Sequence, residues 1–167
     1  MPTLSRSYAP IGKAPTLSCD AKNKRWLSIS AVISAEGYLY YEIRENEGFK
    51  GRAITRFLDN IVADCLDKLL VVWDNSSVHT SKHVKTFCQQ NATNPRVWLA
   101  NTPPYSPELN PIEQLWSCVK QRLANKFHKT TKELKENLIE VLDEIKRNKT
   151  IIKNLFKKEI IKNYNLT

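Results

Sequence analysis

Apolar residues change their spacing several times along the chain, and each change marks an element. Residues 25–34 (RWLSISAVIS) mix Trp, Ile and Val with small polar residues, the make-up of a half-buried strand. Gly37 supplies a turn, and residues 38–44 (YLYYEIR) form a second strand, so the two predict a hairpin. From 51 to 66, Ile54, Phe57, Leu58, Ile61, Val62 and Cys65 recur at helical spacing. Residues 69–73 (LLVVW) are apolar without a break, which predicts a central strand covered on both faces. Residues 81–90 predict a helix capped near Thr80 or Ser81, with Val84, Phe87 and Cys88 on one side. Residues 96–100 (RVWLA) predict another short buried strand.

The second half is helical. After the proline-rich turn PPYSP, Asn110 can cap a helix that begins at Pro111 and turns Ile112, Leu115, Trp116, Val119 and Leu123 inward. Thr130 or Thr131 starts the next helix, with Leu134, Leu138, Val141, Leu142 and Ile145 on its apolar stripe. A last amphipathic segment carries Ile151, Ile152, Leu155, Phe156, Ile160 and Ile161. The order strand, strand, helix, strand, helix, strand, then helices predicts a mixed α/β layer fold with a C-terminal helical extension. The expected organisation is one domain over residues 1–126 and a basic helical tail over 127–167, with no internal repeat.

Charge adds a partner to this picture. The 167 residues carry a net charge of +9. From Ser117 onward there are 13 Lys/Arg against 6 Asp/Glu, a net of +7, while the first 116 residues net only +2. That concentration is the electrostatic footprint expected of a nucleic-acid binder, although a solvated lysine-rich helical surface has the same composition. No apolar run approaches the roughly 20 residues that span a bilayer, so no membrane partner is expected. The residues after Met1 lack the charged stretch and apolar block of a secretory signal, so no such leader is expected. The four cysteines, Cys19, Cys65, Cys88 and Cys118, never form a CxxC pair, so neither a thiolate zinc site nor a disulfide pattern is expected. The last three read as reduced, buried thiols, and the expected compartment is the cytoplasm, with the nucleoid in a bacterium or the nucleus in a eukaryote.

Candidate chemistry centres on two acids. Asp74 follows the apolar run VVW and so stands at the C-terminal end of a strand, where open α/β sheets place ligands. Asp-Asn is also a good turn starter. Glu113 falls in the first turn of the helix after Asn110, and the two stand in capping-box spacing, so capping alone would account for it. Pro103, Pro104, Pro107 and Pro111 stiffen the chain leading to Glu113. Glu113, Trp116 and Lys120 share one helix face, which suits a metal ligand beside a phosphate contact. Trp116 could stack on a base, but its place between Ile112 and Val119 favours packing. His79 and His83 stand four apart, a spacing that can hold zinc from a helix; no Cys or Glu joins them, and a partly exposed pair at a helix start is the plainer reading.

WDNSSVH, followed by PPYSPELNPIEQLW and Lys120, resembles the second half of the DDE catalytic domain of the IS630/Tc1/mariner transposase superfamily. The match is most specific over residues 105–116. Upstream, RSYAPIGKAP at residues 6–15 resembles the segment that follows the family's first catalytic acid, and the hairpin over 27–41 fits the next strands. The resemblance covers most of residues 6–126. It implies an RNase H-like mixed sheet with flanking helices. It also implies a three-carboxylate site for two Mg²⁺ or Mn²⁺ ions that cleaves and joins DNA strands. Hard oxygen donors suit such ions. Asp74 matches the second acid and Glu113 the third, as catalytic and metal-ligating residues. His79, with Asn75, matches positions that orient the site. Lys120, Arg122 and Lys126 are the expected DNA contacts.

The first acid has no match. Only MPTLS precedes RSYAPIGKAP, without a carboxylate or room for a strand, and Asp20 lies in a turn (CDAKNK) at the wrong position. The resemblance therefore implies an N-terminally shortened catalytic domain that lacks its first strand and its helix-turn-helix module, and is inactive alone. Its partners would be transposon-end and target DNA, and a full-length transposase or a second copy of itself through the exposed sheet edge. The rival readings are a noncatalytic DNA-binding or transposase-binding fragment acting as an inhibitor, and a host RNase H-like nuclease. The second rival is disfavoured by the proline-rich turn.

Overall fold

The computed structural model describes residues 25–65, 68–90, 96–104, 106–124, 126 and 128–164. The RSYAPIGKAP segment, Asp20, Cys19, Leu66 and Tyr105 lie outside them. Strands β1 (Leu27–Ile33) and β2 (Leu39–Glu45) pair antiparallel, with Leu27 opposite Glu45 and Ile33 opposite Leu39. Gly37 makes the turn at φ +90°, a backbone angle that disfavours a Cβ. A Cβ there would also lie 2.7 Å from the carbonyl oxygen of Lys149. The hairpin tip is thus seated on the start of helix α5 (Lys149–Tyr164).

Helix α1 (Gly51–Asp64) buries Ile54, Phe57, Leu58 and Ile61, the positions its periodicity predicts. Strand β3 (Leu69–Trp73), helix α2 (Lys82–Gln90) and strand β4 (Val97–Asn101) form a parallel β-α-β unit with Leu69 beside Val97 and Trp73 beside Asn101. One face of this pair packs Val71, Trp73, Val97 and Leu99 against Ile54, Leu58, Val84 and Phe87. The other face does not follow the sequence expectation. Leu70 is 65% exposed, Val72 55% and Trp98 42%, because no described helix lies over them. Cys88 also departs from expectation: it is exposed, while Cys65 and Cys118 are half-buried.

A short 3-10 turn (Pro107–Leu109) leads into helix α3 (Pro111–Leu123), and helix α4 (Thr131–Arg147) precedes α5. Leu115 and Val119 of α3 share one core with Leu39 of β2, Leu138, Val141, Leu142 and Ile145 of α4, and Ile152 of α5. Polar ties hold α4 to the hairpin as well. Tyr41 donates to Asp143 at 2.7 Å, and Lys135 pairs with Glu45 at 2.8 Å. Helix α4 therefore packs on the same hairpin sheet as α3. Among the described residues, no helix is long and apolar enough to cross a membrane.

Candidate active site

The β3–β4 pair ends in step, so the residues after Trp73 and Asn101 emerge side by side. Thr102 N–H donates to the Trp73 carbonyl at 2.8 Å, one rung past the last strand pair. Asp74 leaves β3 at this point, and Thr102–Pro104 leaves β4 beside it. The proline segment then carries the chain to Asn110, whose side chain caps α3 by accepting from Ile112 N–H at 3.2 Å. Asp74 and Glu113 come to line one cleft of about 380 Å³ together with Asn75, Thr102, Pro103, Pro104, Ser106, Pro107 and Asn110.

Local bonds fix Asp74. Its Oδ1 accepts from Ser76 N–H at 3.0 Å and from His79 Nδ1 at 2.8 Å. His79 Nδ1 also lies 3.2 Å from the Asp74 carbonyl oxygen. Both partners of that nitrogen are acceptors, so Nδ1 is the ring nitrogen that carries hydrogen. The imidazole is stacked on Trp73, with centroids 4.4 Å apart and planes 5° from parallel. Both of these bonds use Oδ1, and the Asp74 side chain remains 60% exposed, so its second oxygen is the one left for a ligand.

Glu113 is placed differently from its capping-box expectation. The backbone N–H of Asn110, which a capping-box Glu would engage, donates instead to the Pro107 carbonyl at 3.0 Å. The 3-10 turn over Pro107–Leu109 satisfies that donor, so the carboxylate is not needed there. In α4 the corresponding glutamate does reach back: Thr130 Oγ1 accepts from Glu133 N–H at 3.1 Å, and the Glu133 carboxylate accepts from the N–H of Lys129, one residue before the cap, at 2.8 Å. Glu113 and Lys120 are both exposed, on the side of α3 turned away from Leu115 and Val119, as the shared-face pattern predicts. Trp116 is half-buried.

The remaining candidates separate. Arg122 is half-buried and ion-paired with Glu144 of α4 at 2.9 Å, so its guanidinium braces two helices. Lys126 is exposed. His83 is exposed and joins no metal cluster: among the described residues, no group of three or more His, Cys, Asp or Glu side chains could hold an ion. The cleft therefore offers two carboxylates, a donor set that fits one hard divalent ion completed by water.

Asn101 escaped the sequence reading. It accepts from Trp73 Nε1 at 3.0 Å and donates to Asn75 Oδ1 at 2.7 Å. Asn75 Nδ2 donates to the Thr102 carbonyl at 3.0 Å. Only the parallel register, which sets Asn101 beside Trp73, would have disclosed it.

Residues 1–135 match the family model described as DDE superfamily endonuclease. A stretch of 50 residues is 44% identical to the transposable element Tc1 transposase of Caenorhabditis elegans, covering 30% of this chain and 17% of that protein. Among solved structures, the Mos1 mariner paired-end complex with Mn superposes with a TM-score of 0.64 at 17% identity, over 98% of this chain and 52% of that one. The Mos1 catalytic domain with Raltegravir and Mg gives 0.60 at 18% identity, over 86% of this chain and 78% of that one. The chain thus spans about half the length of the transposase in the Mos1 complex. The shared architecture is the RNase H-like mixed α/β fold.

Proposed function

The chain belongs to the DDE superfamily endonuclease family, on its Tc1/mariner side, and on that premise we propose that it is the catalytic domain of a transposase, built for DNA strand cleavage and transfer. The observation that carries this reading is the convergence of Asp74 and Glu113, from two different elements, on one cleft. In this reading the two carboxylates hold Mg²⁺ or Mn²⁺. Such an ion supplies Lewis-acid activation of the attacking oxygen and charge stabilisation of the leaving oxygen in phosphodiester chemistry. His79 and Ser76 hold Asp74 through Oδ1, and the Pro107 turn holds the helix start that bears Glu113. Lys120 and Lys126 contact DNA phosphates at transposon ends and target. Relatives of known structure lend support here: Mos1 has been solved as a strand transfer complex and with Mg and Mn.

Residues 1–167 hold counterparts of two of the three acids, and by themselves are proposed not to cleave DNA. A two-metal site without its third carboxylate loses the ligand that fixes the ion pair. The test is incubation of the pure chain with supercoiled plasmid in Mg²⁺ or Mn²⁺. Salt-dependent binding without nicking is expected. A chain extended upstream to supply the first strand and its acid should nick, and Asp74→Ala or Glu113→Ala should abolish that nicking. Robust nicking by the unextended chain, lost in Asp74→Ala, would overturn the proposed inactivity. Nicking by the extended chain that survives both substitutions would overturn the site.

A second reading, a noncatalytic fragment that binds DNA or a full-length transposase and inhibits it, is favoured by the net +7 carried from Ser117 onward. Inhibition of an active extended chain by residues 1–167 added in trans would support it, and its absence would remove it.

A further inference from the structure

Four hydrogen bonds close a ring across the ends of β3 and β4. The indole N–H of Trp73 donates to Asn101 Oδ1 (3.0 Å), and Asn101 Nδ2 donates to Asn75 Oδ1 (2.7 Å). Asn75 Nδ2 donates to the Thr102 carbonyl (3.0 Å), and Thr102 N–H returns to the Trp73 carbonyl (2.8 Å). The sense of the side-chain relay is forced. An indole N–H can only donate and a carbonyl can only accept, so each intervening amide has one allowed orientation. Trp73 itself is anchored in the core beside Ile54, Leu58, Val84 and Phe87. The ring therefore transmits the position of a buried side chain to the two segments that leave the sheet, one bearing Asp74 and the other leading to Glu113.

We infer that Asn101 is a positioning residue, which acts through Asn75 and Thr102 to set the spacing of the Asp74 and Glu113 sides of the cleft. Trp73 serves it twice, as donor to Asn101 and as the stacking platform for the His79 ring that holds Asp74. Without Asn101 the Trp73 donor and the Asn75 acceptor both lose their partner, and the Asn75 amide can rotate away from Thr102. The strand pairing persists, since it is made by backbone groups. The expected consequence is a looser cleft on an intact fold. This inference rests on the endonuclease reading of Asp74 and Glu113.

The test uses the full ¹⁵N-labelled chain titrated with MnCl₂, which broadens the amide signals of residues close to a bound ion. In the wild type, the amides of Asn75 and Ser76 and those of Ile112 and Glu113 should broaden over one concentration range, and Asp74→Ala should abolish the effect on both sides. Asn101→Leu, which keeps the side-chain shape and removes both amide groups, should raise the required Mn²⁺ about fivefold or more. The signals of β1, β2 and α4 should stay in place. Trp73→Phe, which keeps a stacking ring but loses the N–H together with part of the indole's volume, should shift the titration in the same direction, and the double variant should be no worse than Asn101→Leu. An unchanged titration in Asn101→Leu overturns the inference and leaves the endonuclease reading standing. If the wild type shows no broadening that depends on Asp74, the metal-site reading fails, and hydrogen exchange at Ser76 N–H decides the positioning role. Exchange about tenfold faster in Asn101→Leu supports that role, because this amide donates to Asp74 Oδ1; unchanged exchange overturns it.

Discussion

His79 donates from Nδ1 to Asp74 Oδ1 at 2.8 Å while its ring lies flat against Trp73, so one imidazole joins a core aromatic to an exposed carboxylate. The histidine spacing that suggested a zinc pair is used for something else. His79 faces the strand end it follows, and His83 faces solvent. A carboxylate held in one rotamer loses less entropy on taking a ligand than one that is free to rotate.

Replacing His79 by Ala should therefore weaken divalent-ion binding at the cleft by about tenfold or more, the usual effect of removing a partner that orients a ligand. Manganese titration followed by electron paramagnetic resonance measures it. His79→Phe, which preserves stacking but cannot donate, should weaken binding nearly as much. Retention of full affinity in His79→Phe would show that stacking alone holds Asp74.

The docking of α5 on the hairpin tip has its own signature. Gly37→Ala combines a positive φ with a Cβ only 2.7 Å from the Lys149 carbonyl oxygen. The backbone strain alone costs about 1–3 kcal/mol, and the close contact adds to it. Urea denaturation should report a lower midpoint with an unchanged m-value. Proteolysis should reach α5 before α1, because the contact at risk lies in the hairpin–α4–α5 core.

Lys120 and Arg122 should respond differently to alanine. Lys120 is exposed on the Glu113 side of α3. Lys120→Ala should weaken binding to any duplex and lower the slope of log K against log salt by about 0.9. Arg122 already pairs with Glu144, 29% and 60% exposed respectively, so Arg122→Ala should cost about 0.5–1 kcal/mol of stability. Fluorescence anisotropy at several salt concentrations, beside thermal melts, separates the two.

Alkaline pH should weaken the attachment of α4. Burial first, and then the bond to Asp143, push the Tyr41 hydroxyl up to about 12 from an ordinary value near 10. Between those two values the unfolded chain has released the proton and the folded chain still holds it. The stability Tyr41 contributes is therefore complete below pH 10 and is lost as pH rises through 12. Because the site is partly solvated, the change amounts to about 1 kcal/mol. The stability difference between wild type and Tyr41→Phe, measured by urea denaturation, should shrink across that window. A constant difference would remove Tyr41 from the alkaline response.

Much of this architecture was legible in the chain itself. Ile54, Phe57, Leu58 and Ile61 fall on one helical face and are buried there, because burial follows a period that sequence displays directly. Asn110 and Thr130 cap their helices as their residue types foretell, since capping is satisfied within a few residues. The acids Asp74 and Glu113 were marked by strand-end and helix-start positions and by the motif around them. What sequence could not supply depends on which distant backbones lie side by side. The apolar run at residues 69–73 does not reveal that Leu70 and Val72 face outward, because an unbroken run reads alike on both faces. Nor could it show that Pro107, rather than Glu113, satisfies the Asn110 amide, or that Arg122 is taken up by Glu144. Asn101 is the clearest case. Nothing in its neighbours distinguishes it until the parallel register sets it beside Trp73, where a donor-only indole and an acceptor-only carbonyl give its amide one orientation and one set of partners.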